Sequence, residues 1–179
     1  RLEILHELAP QAKRIYIPYD LNFPTIPPVL KALRPGASLL GIKLVEVNSK
    51  NTADIQADLQ TRNSSGDIGM DAIMTLGQPL TSNPDTFAVL SEFATEHNIP
   101  IGGIIQNNNE NNLFVYESKF YEIGSLAASL ADKIFKGTPA GTIPVVTPEA
   151  YLKLNYKAAQ QLGINVSEGL LSRADEVIR

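Results

Sequence analysis

Residues 71–105 read DAIMTLGQPLTSNPDTFAVLSEFATEHNIPIGGII, and this stretch decides the fold class. It begins with an apolar run at 72–74, continues with Phe87 and Leu90 at helical spacing, and returns to an apolar run at 99–105. A run of consecutive apolar residues is typical of a strand that is covered on both faces. The order strand, helix, strand predicts two parallel strands joined by a crossover helix.

The same alternation extends towards the start of the chain. Apolar and β-branched residues predict strands at 14–19 and 42–47, and helical spacing predicts helices at 1–9 and 53–62. The Thr52 hydroxyl is placed to cap the second of these helices. Each predicted strand is therefore followed by a helix.

Prolines crowd the segment between the first two strands. We expect a loop at 22–25 and then a helix that breaks or restarts at Pro35-Gly36 and ends near Gly41. The reason is that proline has no N–H for the helical hydrogen bond and its ring disturbs the preceding turn.

The second half of the chain alternates less regularly. The pattern predicts strands at 113–116 and 151–154, a long helix at 118–135, a helix at 156–162 and a last short helix at 170–178. Taken together, the elements predict an α/β fold, with a parallel sheet and helices on both faces.

Composition excludes several classes of function. The chain has 179 residues and no cysteine, so disulfide scaffolds, cysteine-ligated metal centres and thiol catalysis are ruled out. The net charge of −4 and the isoelectric point near 5.2 argue against a nucleic-acid partner, which usually needs a basic face and a pI above about 9.

Motifs for catalysis are missing as well. The two histidines, His6 and His97, have no ligand or nucleophile at motif spacing, and Gly102-Gly103 lies within a strand instead of opening a helix. Asp20 follows the first strand, as the phosphoacceptor of a response regulator does, but the acidic pair and the late lysine of that class are absent. We therefore expect no enzyme, no cofactor and no metal site.

In a parallel sheet, ligands bind outside the carboxyl ends of the strands. That rule marks residues 19–23, 77–80 and 103–107. The polar tract 106–112 is also typical of a solvated loop.

A series of short motifs carries a family resemblance. They are Leu113-Phe114-Val115-Tyr116, Tyr121-Glu122-Ile123-Gly124, Ile134-Phe135-Lys136-Gly137, Ile143-Pro144-Val145-Val146-Thr147-Pro148 and Leu154-Asn155-Tyr156-Lys157-Ala158-Ala159. In order and spacing they resemble the substrate-binding proteins of ABC transporters, in the family that includes tryptophan- and tyrosine-binding members.

The resemblance implies a type I periplasmic-binding fold, in which two α/β lobes joined by crossing strands hold a ligand in a cleft. It implies a periplasmic or extracellular protein, lipid-anchored through a missing N-terminus. Its partners would be a small-molecule ligand, such as an amino acid or a similar compound, and the membrane permease that receives it.

By length, the chain would be the second lobe with its returning segments, and the first lobe would lie upstream of Arg1. Residues 1–116 would form the lobe, 117–137 would return as a helix that packs on the first lobe, and 138–179 would complete the lobe. We expect the apolar face of the 118–135 helix to be exposed in this chain or used for self-association.

The resemblance also suggests the ligand-binding residues. They are Tyr19, Asp20 and Asn22 after the first strand, Gln78 after the third, Gln106 after the fourth, and Tyr116-Glu117 where the chain returns. The turn Gly77-Gln78-Pro79 departs from the Thr-Asp-Asn-like turn of the family, which bears on aromatic amino-acid specificity. Polar residues in cleft loops also serve simply to satisfy backbone groups.

Two other readings stay open at this point. The same fold could serve as an extracytoplasmic ligand-sensing domain of a signalling protein. A flavodoxin-like enzyme has the least support, because the sequence assembles no nucleophile, base or metal cluster.

Overall fold

A computed structural model describes residues 1–104 and 112–179. The strands are β1 Arg14–Tyr19, β2 Lys43–Asn48, β3 Ala72–Met74, β4 Ile101–Gly103, β5 Asn112–Glu117, β6 Tyr151–Asn155 and β7 Glu176–Ile178. The helices are α1 Leu2–Leu8, α2 Ile26–Leu39, α3 Thr52–Asn63, α4 Pro79–Ser82, α5 Pro84–Glu96, α6 Phe120–Phe135, α7 Tyr156–Gln161 and α8 Glu168–Arg173, with a 3₁₀ turn at Ala140–Thr142.

The described strands form one seven-stranded sheet in the order β2-β1-β3-β4-β5-β6-β7. Each neighbouring pair is parallel except β5 and β6, which are antiparallel and place Tyr116 opposite Leu152. The predicted α/β class with a mostly parallel sheet is confirmed.

Helices cover both faces of the sheet. On one face α1, α2, α7 and α8 contribute Leu5, Leu30 and Leu170 to a buried cluster, and on the other α3 and α5 contribute Ile55 and Phe87. Strand β1 lies in the interior of the sheet and is buried on both sides, which explains its nearly continuous apolar sequence.

The Gly102-Gly103 pair in β4 is explained by close packing. A Cβ atom on Gly102 would collide with the ring of Phe114 on β5, and one on Gly103 would collide with Thr75. Gly103 also has a φ of +149°, which side-chain-bearing residues rarely adopt.

Helix α2 does not break at Pro35, and the prediction there is wrong. The helix is continuous from Ile26 to Leu39 and buries Ile26, Leu30 and Ala37 along one side. Pro35 is exposed, so the carbonyl that loses its helical hydrogen bond lies where water can satisfy it. Burial of the apolar side outweighs the local penalty.

The cap of α3 also differs from the prediction. Asn51, and not Thr52, is the N-cap, because its Oδ1 accepts from the backbone N–H of Asp54 at 3.0 Å. Thr52 is the first helical residue, and its hydroxyl is 2.7 Å from that of Thr86 at the start of α5.

The end of the chain forms a strand, so the helix predicted at 170–178 is wrong for its last residues. Helix α8 stops at Arg173, and Glu176–Ile178 extends the sheet beside β6, with Val177 opposite Leu154. Leu170 is buried, but the residues after Arg173 gain more from pairing with β6 than from another helical turn.

Helix α6 contrasts with the other helices because none of its residues is buried. Its aromatic residues Phe120, Tyr121 and Phe135 are 80%, 86% and 88% exposed, and Ile123 and Ile134 are exposed too. The exposure predicted for this helix is observed. No helix within 1–104 and 112–179 is sufficiently long and apolar to cross a membrane.

Candidate ligand-binding site

A pocket of about 310 Å³ opens at the carboxyl edge of the sheet. It is bounded by Asp20 and Phe23 after β1, by residues 50–52 after β2, and by residues of the loop and helix starts after β3, among them Gln78 and Thr86. The three segments meet because the strands β2, β1 and β3 are adjacent and parallel. This is the place where open parallel sheets bind ligands.

Opposite charges line the pocket without pairing. In the part of the chain that the structure describes, no carboxylate lies within ion-pair distance of the Lys50 ammonium, and no basic side chain lies within that distance of Asp20. Asp20 Oδ1 accepts hydrogen bonds from the backbone N–H of Asn22 at 2.9 Å and from its side-chain Nδ2 at 3.0 Å. A charged ligand could therefore meet a cation and a carboxylate that need no rearrangement of an existing pair.

Gln78 is 3% exposed and reaches back to β1. Its Nε2 donates to the carbonyl of Pro18 at 3.0 Å, and its Oε1 accepts from the N–H of Asp20 at 2.8 Å. The structure thus brings the predicted residues Asp20, Asn22 and Gln78 into one hydrogen-bonded group.

Tyr19 is placed differently. It is 8% exposed and packs into the core, and its backbone carbonyl accepts from the N–H of Ser49 at 2.7 Å. Burial raises the pKa of the Tyr19 phenol, with a further increase from Glu46. Its side chain does not line the pocket.

Tyr116 and Glu117 end β5 at the same edge of the sheet but do not line this pocket. Tyr116 is half-buried, and its carbonyl accepts from Arg1 Nε at 2.9 Å. Glu117 lies opposite Tyr151 across β5 and β6, where the chain leaves the sheet towards α6. Gln106, the remaining predicted residue, falls outside the described residues.

Eight of the ten residues that line the pocket were not predicted as ligand-binding, among them Phe23, Lys50 and Thr52. Phe23 falls within the marked loop after β1. Lys50 and Thr52 follow β2, so the rule that marked the ends of the other strands would have found them had it been applied to β2. No cluster of three or more His, Asp or Glu residues suited to a metal ion occurs in the described part of the chain.

Solved structures define the class of fold. The chain matches a conserved domain protein from Vibrio cholerae at 25% identity and a TM-score of 0.79, covering 98% of this chain and 58% of that one. It matches an ABC domain in complex with L-Trp from Streptococcus pneumoniae at 20% identity and a TM-score of 0.81, covering 99% and 59%. It also matches a ligand-free, open substrate-binding protein with adhesive properties from Clostridium difficile at 22% identity and a TM-score of 0.72, covering 99% and 58%.

The fold is that of a type I periplasmic binding protein, and the chain spans a little under three fifths of the length of these structures. The family model for ABC transporter substrate binding proteins matches residues 1–178, and the chain belongs to this family. No curated protein sequence matches it. Substrate-binding proteins of ABC transporters are extracytoplasmic, and the family is one of ligand-binding proteins and not a class of enzymes.

Proposed function

We propose that the protein is the extracytoplasmic solute-binding component of an ABC transporter, and that its ligand is an amino acid or a similar zwitterion. The observation that carries the proposal is that Asp20 and Lys50 line the same pocket with opposite charges, and neither forms an ion pair with another described residue. Asp20 suits an ammonium group and Lys50 a carboxylate, and each gains because charge-assisted hydrogen bonds are the stronger ones.

The same pocket also has apolar lining residues, which suit an apolar side chain of the ligand. Phe23 and Leu80 line the pocket beside the polar groups. Ligand pockets commonly combine such apolar walls with a few convergent polar groups. The L-Trp complex of the Streptococcus pneumoniae structure supports an amino acid as the class of ligand. The turn at Gly77-Gln78-Pro79 leaves the side chain of that amino acid open.

The domain arrangement is part of the same proposal. Residues 1–116 and 138–179 form one lobe of the cleft, and α6 packs against the other lobe. The support is the complete lack of buried residues in α6, together with the apolar side chains of Ile123, Leu130 and Ile134 along it. Closure of two lobes over the ligand would then complete the site and present the protein to its membrane permease.

Calorimetric titration of the full-length protein tests the proposal. The ligands are the twenty common amino acids, with tryptamine and indole-3-propionate as analogues of L-tryptophan that lack the carboxylate and the ammonium group. We expect binding of at least one amino acid, and weaker binding in the Asp20→Asn and Lys50→Met variants.

Two exposed positions away from the pocket provide matched controls, Glu92→Gln on α5 and Lys43→Met on β2, and they should bind as the unaltered protein does. If no amino acid binds, the proposed ligand class is wrong. If binding survives both pocket substitutions unchanged, the site lies elsewhere.

A further inference from the structure

Strand β1 extends further than its neighbour β3, so part of its edge has no strand beside it. Tyr16 is in register with Ile73, and β3 ends at Met74, whereas β1 continues to Tyr19. The backbone groups of β1 beyond that point need other partners, since buried N–H and C=O groups are costly to leave unpaired.

The side-chain amide of Gln78 supplies these partners. Its Nε2 donates to the carbonyl of Pro18 and its Oε1 accepts from the N–H of Asp20, the residues on either side of Tyr19. In a parallel ladder, the N–H and the C=O of one residue bond in this way to the residues before and after the one that it faces. The Gln78 side-chain amide therefore supplies the donor and the acceptor that the backbone of one further β3 residue would supply.

The loop that carries Gln78 is itself held firmly. The Gln78 carbonyl accepts from the N–H of Ser82 at 3.0 Å, and Thr81 Oγ1 donates to the carbonyl of Leu76 at 2.5 Å. A side chain at Gly77 would come within 2.9 Å of Ile104 Cδ1, so this turn packs tightly against its neighbour. Gln78 thus connects a rigid turn to the end of β1.

The hydrogen bond from the Asp20 backbone to Gln78 fixes the position of Asp20. Its N–H is bound to Gln78, and its Oδ1 is bound to Asn22. The other carboxylate oxygen has no hydrogen-bond partner among the described residues and is available to the pocket that Asp20 lines.

We infer that Gln78 is a positioning residue of the cleft, which fixes the place from which the Asp20 carboxylate meets the cationic group of the ligand. Gln78 thereby determines the selectivity for ligands that carry an ammonium group, and it does so through Asp20. The inference rests on the proposed function for the ligand class, whereas the placement of Asp20 can be tested without any ligand.

The experiment compares Gln78→Met, which is similar in size and removes both hydrogen bonds, with the full-length unaltered protein. Gln78→Glu is the second variant: it keeps an acceptor for the Asp20 amide, but it loses the donor to Pro18 and adds a negative charge at a buried position. Gln60→Met, on the exposed surface of α3, is the matched control. Hydrogen exchange of the Asp20 amide is followed by NMR, and L-tryptophan and indole-3-propionate are titrated calorimetrically.

In Gln78→Met we expect the Asp20 amide to exchange about tenfold faster and L-tryptophan to bind about tenfold more weakly, as befits a lost hydrogen bond, while indole-3-propionate binds as before. In Gln78→Glu the exchange of the Asp20 amide should increase less, because an acceptor is kept, and Gln60→Met should show neither change.

The inference is overturned if the Asp20 amide in both Gln78 variants stays as well protected from exchange as in the unaltered protein. An equal loss of affinity for the two ligands also overturns it, because that result describes a general structural role. If the unaltered protein binds neither ligand, the tested ligand is wrong, and the exchange rate of the Asp20 amide decides the inference by itself.

Discussion

The guanidinium of Arg14 and the carboxylate of Asp71 join the amino ends of β1 and β3. Arg14 donates from Nε at 3.0 Å and from Nη2 at 2.8 Å to Asp71 Oδ1. Asp71 Oδ2 accepts hydrogen bonds from the backbone N–H groups of Lys13 and Arg14, both at 2.8 Å. Burial raises the pKa of Asp71, but the bonds from Arg14 and from the two amides outweigh it and hold this pKa below its ordinary value.

Asp71→Asn should therefore destabilise the fold by about 1–2 kcal/mol at neutral pH, since it weakens charge-assisted hydrogen bonds. The contribution of Asp71 is complete above the pKa of an unfolded aspartate, about 3.9, and is lost as the pH falls through the lower pKa of the folded state. Urea unfolding at a series of pH values measures both effects.

Asp67→Asn is the control for this site. Asp67 also pairs with Arg14, but its side chain is 67% exposed, so we expect a clearly smaller loss of stability. Equal losses in the two variants would show that the amide bonds and the burial of Asp71 contribute nothing.

Gly102→Ala should lower the free energy of unfolding by about 2 kcal/mol, because the added methyl group would meet the Phe114 ring in a packed part of the sheet. Gly124→Ala is the matched control, since no atom lies within 4 Å of its added Cβ, and α6 should gain about 0.5–1 kcal/mol. Thermal unfolding by circular dichroism compares the two, and an unchanged melting temperature in Gly102→Ala contradicts the packing described.

Phe135 tests the proposed partner of α6. In the 179-residue chain this side chain is 88% exposed, so Phe135→Ser should change the stability by less than about 0.5 kcal/mol. In the full-length protein the same substitution should cost about 2–3 kcal/mol if another lobe buries the ring. Phe87→Ala, at a core position, should cost about 3–5 kcal/mol in both.

Equal small effects of Phe135→Ser in the two proteins would show that the end of α6 is uncovered in both. Sedimentation of the 179-residue chain detects self-association, because the apparent mass then rises with protein concentration.

Tyr151 lies at the start of β6, where the chain returns from α6 to the sheet, and we expect its hydroxyl to titrate at an unusually high pH. Its hydroxyl donates to Glu176, and this bond, with burial and the charge of Glu176, raises the pKa of Tyr151 to about 12. Glu176→Gln should move that pKa down towards 10.0, which NMR of isotope-labelled tyrosine would detect. Tyr121→Phe should leave the titration of Tyr151 unaltered, and an unaltered pKa in Glu176→Gln would refute the interaction.

Local patterns in the sequence were sufficient for most elements. The apolar runs at 14–19 and 72–74 and the helical spacing of Phe87 and Leu90 are properties of neighbouring residues, and the structure confirms the strands and the helix there. The same local logic failed at Pro35 and at 176–178, because burial of one side of α2 and pairing with β6 are long-range effects.

The carboxyl-edge rule marked Asp20 and Gln78 as candidate ligand-binding residues, since the alternation of strands and helices predicts parallel strands. Their role in ligand binding stays a prediction. Only the tertiary structure decided that the Gln78 amide is bonded to the backbone of β1, that Tyr19 is buried, and that Lys50 joins the pocket. Periodicity indicates which face of an element is covered, but the partner of a side chain depends on where distant segments meet, and that depends on the packing of the whole fold.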